Sequence, residues 1–271
     1  MNANPTPMPS LLAGRRALVT GSAAGIGFAI ARALAEQGAA VVINARHGPA
    51  LAQAVERLHQ TVPGLDVDAV QADLGTPEGA KHLAQSVGEV DILVNNLGIF
   101  EQKPFEQITD DDWFRLFETN VMSGVRMTRA LLPGMVSRGW GRVVFISSES
   151  GVSPPPDMVH YGVTKAAQIS LARGLAETCT GTGVTVNSVL PGPTMTEGAA
   201  EYFEAAARRQ QITVDEAKRA FFAEARPTSL IRRFIEPAEV AALVAHVCSP
   251  LSGAIQGAAL RVDGGVVRSM V

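Results

Sequence analysis

A chain of 271 residues, 46% hydrophobic and 18% charged with a formal net charge of −3, has the material for one large α/β core. It carries no basic excess that would draw it to nucleic acid, and its apolar stretches are broken well before membrane-spanning length. The opening MNANPTPMPS lacks the charged and apolar regions of a secretory signal, so residues 1–12 read as a flexible polar arm on a cytoplasmic protein. From about residue 15, short β-branched runs alternate with Ala-rich segments of helical period. The strand candidates are ALVT (17–20), AVVINA (40–45), VDAVQA (67–72), DILVNN (91–96), RVVFIS (142–147), GVTVNSV (183–189) and GAALRV (257–262). Helical segments such as FAIARALAEQ (28–37) and the long stretch 112–136 separate them. Near-continuous apolar strands joined through helices predict a single-domain, Rossmann-like doubly wound sheet of about seven parallel strands, with helices on both faces, over residues 13–271. Residues 193–236 interrupt the alternation with charged helical sequence and no strand, where a substrate lid would sit. Cys179 and Cys248 fall far apart in helical sequence and read as reduced apolar fillers. His47, His59, His82, His160 and His246 show no metal-ligand spacing, so no metal is expected.

The first strand runs directly into TGSAAGIG, Thr20 to Gly27, and then into a helix. Gly21 permits a tight turn, Gly25 and Gly27 permit close approach of a pyrophosphate, and the helix N-terminus offers free N–H groups to it. An ordinary strand-to-helix turn would also use glycine, but this one opens a full strand–helix series. At the end of the second strand Ala45 stands where an acid would hold a ribose 2′-OH, and Arg46 follows, which favours a 2′-phosphate and therefore NADP over NAD. One of the two tyrosines, Tyr161, lies four residues before Lys165 in HYGVTK. On a helix the phenol and the ammonium share a face, as a solvated surface pair or as a phenol tuned for proton transfer.

These pieces together resemble the short-chain dehydrogenase/reductase family in its short single-domain form, over nearly the whole chain from Gly14 to Val266. The turn resembles that family's TGxxxGxG, NNLG (95–98) its NNAG with Leu97 in place of Ala, LPGPTMT (190–196) its PG motif and RVDGG (261–265) its C-terminal signature. The resemblance implies a catalytic tetrad of Asn120, Ser148, Tyr161 and Lys165, with Ser148 rather than Ser147 in register. Tyr161 would move the proton, Lys165 would lower its pKa and hold the nicotinamide ribose, and Ser148 would bind the substrate oxygen. Asn120 would distort its helix and position a water connecting to Lys165. The resemblance also implies cofactor contacts from Gly21, Ser22, Gly25, Ile26, Gly27, Arg46, Asp73 and Leu74. Asn95, Gly98, Pro191, Gly192, Thr194 and Thr196 complete that set, beside Tyr161 and Lys165.

The expected function is hydride transfer between NADP(H) and a carbonyl or secondary alcohol, as in a ketoreductase of the 3-oxoacyl-thioester type. The alternatives are an NAD-dependent polyol or sugar dehydrogenase, which would need the end of the second strand to accept a ribose 2′-OH without an acid, for instance through Asn44, and a non-catalytic dinucleotide-binding redox sensor. The stiff Pro154–Pro156 run and Met158 should line the pocket. In the lid, Tyr202, Phe203, Phe221 and Phe222 suit an apolar substrate; Arg208, Arg209, Arg219 and Arg226 would meet an anionic one or form a solvated helix face. The expected partners are the small-molecule substrate and, by resemblance, further copies of the chain in a homotetramer or a dimer, with no nucleic acid and no membrane.

Overall fold

The computed structural model describes residues 10–62 and 64–270 of the protein. Seven strands form one parallel sheet in the order β3-β2-β1-β4-β5-β6-β7. They are β1 (Arg16–Val19), β2 (Ala40–Ala45), β3 (Val67–Gln71), β4 (Ile92–Asn95), β5 (Gly141–Ile146), β6 (Val184–Pro191) and β7 (Ala259–Val262). The expected strands appear with ends shifted by no more than two residues. β5 and β6 are buried along their whole length, as strands covered on both faces must be. Residues 1–9 of the expected arm lie outside the described residues. Its end does not project, because Leu12 is fully buried and donates its N–H to the Gln37 carbonyl at 2.9 Å.

The period-2 alternation of each strand divides the core into two layers. Ala17, Val19, Val41 and Ile43 pack against α1 (Gly25–Glu36), α2 (Gly48–Thr61) and α9 (Pro237–Cys248). Leu18, Val42, Leu93 and Phe145 face α3 (Pro77–Ser86), α5 (Ser123–Ser137) and α6 (Val159–Thr178). The chain reverses its winding between β1 and β4, and the crevice at such a reversal is where open α/β sheets bind ligands.

The segment expected as one helix over 112–136 is three pieces. α4 (Asp110–Phe117) leads into a π-turn, Glu118–Met122, and then into α5. Between β6 and α9 the chain forms α7 (Glu197–Gln210) and α8 (Val214–Glu224). A parallel bridge between Thr194 and Ile235 closes the two ends of this excursion. Its aromatics pack largely on one another. Phe203 and Phe222 are buried with ring centroids 5.0 and 4.9 Å from Phe234, while Tyr202 stays exposed.

Candidate active site

The glycine turn between β1 and α1 is built for an anion. Gly21 and Gly25 have φ of +60° and +57°, the left-handed region that side chains disfavour. A Cβ on Gly27 would lie 2.4 Å from Asn96 Nδ2 and 2.5 Å from the Gly21 carbonyl oxygen. Ala24, before α1, provides no side-chain cap, so the first-turn N–H groups are open to an outside acceptor. One of them is in use: Gly25 N–H donates to Glu197 Oε2, 2.9 Å away, from the start of α7. The turn therefore attracts negative charge even within its own chain, and it fits a pyrophosphate. Gly27→Ala, which forces Cβ into backbone, is expected to cost about 1–3 kcal/mol. A thermal melt should register a Tm lower by roughly 2–10 °C.

Around the turn the expected contacts divide. Asn96, not singled out by sequence, holds the turn's shape, with Nδ2 donating to both the Thr20 and Gly21 carbonyls at 2.9 Å. Asn95 faces the other way and donates to Thr128 Oγ1 of α5. Ser22 spends its hydroxyl internally, donating to the Val19 carbonyl (2.7 Å) and accepting from Asn44 N–H, so that hydroxyl is not offered to a cofactor. Ile26 packs against the core and Leu74 is buried within it, which leaves only their backbones for a ligand. Asp73 is exposed beyond β3 and accepts from Gly75 N–H. Arg46 is exposed at the end of β2, with Nε donating to His47 Nε2. Asn44 is buried and committed: its amide donates to the Val70 and Ala72 carbonyls at 3.1 Å and its Oδ1 accepts from Gly21 N–H. On the far side of the crevice Pro191 ends β6, Gly192 packs on the Asp263 backbone, Thr194 Oγ1 donates to the Gly192 carbonyl, and Thr196 caps α7.

Beside the crevice, β5 delivers Ser148 and α6 delivers Tyr161 and Lys165 to one place. The two serines separate cleanly. Ser147 Oγ donates to the Lys165 carbonyl at 2.8 Å, while Ser148 is hydrogen-bonded to Tyr161. Close packing makes this possible, since a Cβ on Gly162 would lie 2.4 Å from Pro154 Cβ and 2.9 Å from the Ser150 carbonyl. The proline run thus seats the first turn of α6 against the serine loop. Lys165 Nζ lies 5.6 Å from the Tyr161 ring centroid and donates to the Ile146 carbonyl (2.9 Å) and Gln168 Oε1 (3.1 Å). Gly98 touches it: a Cβ there would sit 3.2 Å from Nζ.

Asn120 is fully buried in the π-turn. Its Oδ1 accepts from Ile99 N–H, and its Nδ2 donates to the Ile99 carbonyl and Thr164 Oγ1. The side chain therefore staples the π-turn to the β4 loop and α6. The water expected between Asn120 and Lys165 has a side chain in its path. Gln168 Nε2 donates to the Asn120 carbonyl (2.6 Å) while Gln168 Oε1 accepts from Lys165. Gln168 sits three residues after Lys165 and was unmarked in the sequence.

The electrostatics also depart from expectation. Desolvation brings Lys165 down to about 7, because its acceptors are neutral carbonyl oxygens and no carboxylate compensates its charge. Desolvation holds the Tyr161 phenol above its ordinary value. The hydrogen bond with Ser148 and the charge of Arg226 pull it down, and Glu149 pushes it up. The pKa of Tyr161 is thus raised, and Lys165 is not what sets it here.

A parallel sheet that opens an anion-binding turn at its winding reversal, next to a buried serine–tyrosine–lysine cluster, is the build of a dinucleotide-dependent oxidoreductase. Comparison with known proteins gives the same result. Residues 15–207 match the family model described as short chain dehydrogenase. The chain is 51% identical over 266 residues to the uncharacterized oxidoreductase YvaG of Bacillus subtilis, covering 96% of this chain and 98% of that protein. It is 34% identical over 261 residues to D-beta-hydroxybutyrate dehydrogenase of Cupriavidus necator, covering 95% and 99%. The solved L-sorbose reductase of Gluconobacter frateurii, complexed with NADPH and L-sorbose, superposes with a TM-score of 0.91 at 31% identity, over 97% of this chain and all of that one. The protein belongs to the short-chain dehydrogenase/reductase family, and it is an NAD(P)-dependent enzyme acting on the CH–OH/C=O pair.

Proposed function

We propose that the protein is an NADP(H)-dependent ketoreductase, transferring a hydride between the cofactor and a carbonyl or secondary alcohol substrate. The observation that carries this is the assembled cluster itself: Tyr161 and Lys165 share one face of α6 beside Ser148, next to the glycine turn, so that a phenol stands where it can exchange a proton with a substrate oxygen. Ser148, whose one hydroxyl proton goes to Glu149 in the free protein, would turn it to that oxygen and orient it when substrate binds. Lys165, held by Ile146 and Gln168, lies beside the phenol and would hold the nicotinamide ribose. Asn120 fixes the helix from which this cluster is braced. The cofactor, when bound, supplies the hydride.

The turn Gly21–Gly27 would hold the pyrophosphate, Asp73 and the Leu74 backbone the adenine, and Gly98 with the Pro191–Thr196 strand end the nicotinamide side. Arg46 would take the 2′-phosphate. The commitment of Asn44 to three backbone partners supports NADP over NAD, because its side chain is not left free to accept a ribose 2′-OH. The NADPH-bound sorbose reductase supports the same choice. The polyol-dehydrogenase reading loses its Asn44 contact, and the redox-sensor reading does not explain an assembled proton-transfer cluster. For the exposed Phe114 and the apolar groove of Trp113, Phe114, Phe117 and Met122 on the α4–α5 face, we propose burial in a homotetramer, or failing that a dimer. A monomeric mass in light scattering would exclude both.

The deciding titration follows nicotinamide fluorescence and Tm with NADPH and then NADH. NADPH is expected to bind more tightly, and Arg46→Ala to weaken NADPH by roughly tenfold to a hundredfold while leaving NADH unchanged. Tighter NADH binding by the native protein would overturn the cofactor choice. Absence of turnover with every carbonyl compound tried would restore the sensor.

A further inference from the structure

Among the lid arginines, Arg226 does not lie on a solvated face. It follows α8 and reaches back across 77 residues of sequence to Glu149, with Nε donating to Oε1 at 3.0 Å. The side chains are only 15% and 5% exposed. The other carboxylate oxygen, Oε2, accepts from Ser148 Oγ at 2.5 Å, from Ser150 N–H at 2.8 Å and from Ser150 Oγ at 3.0 Å. Arg226 Nη1 donates to the Ala225 carbonyl. Glu149 therefore spends both oxygens on partners inside the site, and Arg226 lies one carboxylate away from Ser148. Both charges act on the Tyr161 phenol with opposite signs, so the pair sits at the reacting end of the pocket and is close to neutral there.

We propose that Glu149 determines substrate charge: by holding Arg226 in a buried neutral pair beside Ser148, it makes the pocket select uncharged carbonyl compounds over anionic ones. This inference rests on the ketoreductase reading and adds a substrate class to it. Arg226 is the cation held beside Ser148 that a substrate carboxylate would meet, and taking it would leave Glu149 buried without that partner, next to the incoming negative charge. A neutral ketone, ketose or oxo-ester needs no charge partner and leaves the pair intact. Glu149 is a positioning residue in this account, since it acts through Ser148 and Arg226 and not on the reacting atoms.

The test uses ethyl acetoacetate and acetoacetate, which present the same 3-oxo group with and without a negative charge. With NADPH saturating, the native protein is expected to favour the ester in kcat/KM by at least about a hundredfold, the factor of a few kcal/mol that an unpaired buried charge costs. Glu149→Gln frees Arg226 and should shrink that ratio by at least about tenfold, mainly through a lower KM for acetoacetate. The double variant Glu149→Gln/Arg226→Gln should lose the gain. If Glu149→Gln does not fold, Arg226→Gln alone carries the test in the opposite sense, because the uncompensated Glu149 should raise the ratio further. Equal use of acid and ester by the native protein, or a ratio that neither variant moves, overturns the proposal. Should the native protein reduce neither compound, melting of the NADPH-loaded proteins decides this one, and the wider carbonyl screen decides the ketoreductase reading separately. Acetoacetate raising the Tm of Glu149→Gln alone supports charge selection; a rise in the native protein, or in neither, ends it.

Discussion

Tyr161→Phe is expected to lower kcat for carbonyl reduction by about 10²–10⁴, the usual worth of a positioned proton donor, while leaving NADPH affinity unchanged. The substitution removes one oxygen and keeps the ring, so the edge-on contact with Phe100, centroids 6.2 Å apart, is retained. Ser148 loses its phenolic partner but keeps Glu149 and the Ser150 N–H. Any defect is therefore chemical and not a loss of structure. Steady-state kinetics with ethyl acetoacetate, alongside an NADPH titration by fluorescence, separates the two. A loss of less than about tenfold would mean that the proton comes from another group and would remove the phenol from its assigned role.

Lys165→Met should produce a comparable fall in activity together with a gain in stability that depends on pH. The ammonium is buried against neutral acceptors, and its pKa lies near 7 in the folded protein against about 10.4 in an unfolded chain. Between those values the unfolded state binds the extra proton, so native stability rises with pH across the window. Below about pH 7 both states are protonated and the full penalty, on the order of a few kcal/mol, is present. Met carries no such proton. The variant should therefore melt above the native protein at pH 6, with the difference closing as pH approaches 10. Parallel Tm–pH curves for the two would show that Lys165 is not titrating in this range. Activity is lost at any pH, because the amine assigned to the nicotinamide ribose is gone.

What could be read from sequence was set by local periodicity. Apolar runs such as Val41–Ile43 and Val143–Ile146 have only one stable use, a strand covered on both faces, and the four-residue step from Tyr161 to Lys165 survives because α6 is continuous through it. The glycine turn was legible because positive φ at Gly21 and Gly25 is a property of the residue itself. Contacts between distant segments were not. Gln168 looks like any polar helical residue until the π-turn brings the Asn120 carbonyl to it. Asn95 and Asn96 are equivalent as letters, and the end of β4 turns one toward Thr128 and the other toward the glycine turn. Arg226 belongs to a charged helical stretch whose usual fate is solvent. Only the fold, which returns the chain after α8 to the serine loop, shows that its partner is Glu149.

The excursion between β6 and α9 is held at its two ends by carboxylates of very different exposure. At its beginning Glu197 bonds to Gly25 N–H and lies 3.5 Å from Arg57, with side chains about half exposed at 54% and 46%. At its other end Arg226 is paired with Glu149, with side chains only 15% and 5% exposed. Salt discriminates between such contacts: at 1 M the screening length falls to about 3 Å, which removes an exposed pair and leaves a desolvated one nearly intact. Rising ionic strength is therefore expected to weaken the Glu197–Arg57 contact while the Arg226–Glu149 pair persists. For this protein salt is a probe that distinguishes the two ends of the excursion, acting on the carboxylate at the glycine turn and sparing the one beside Ser148.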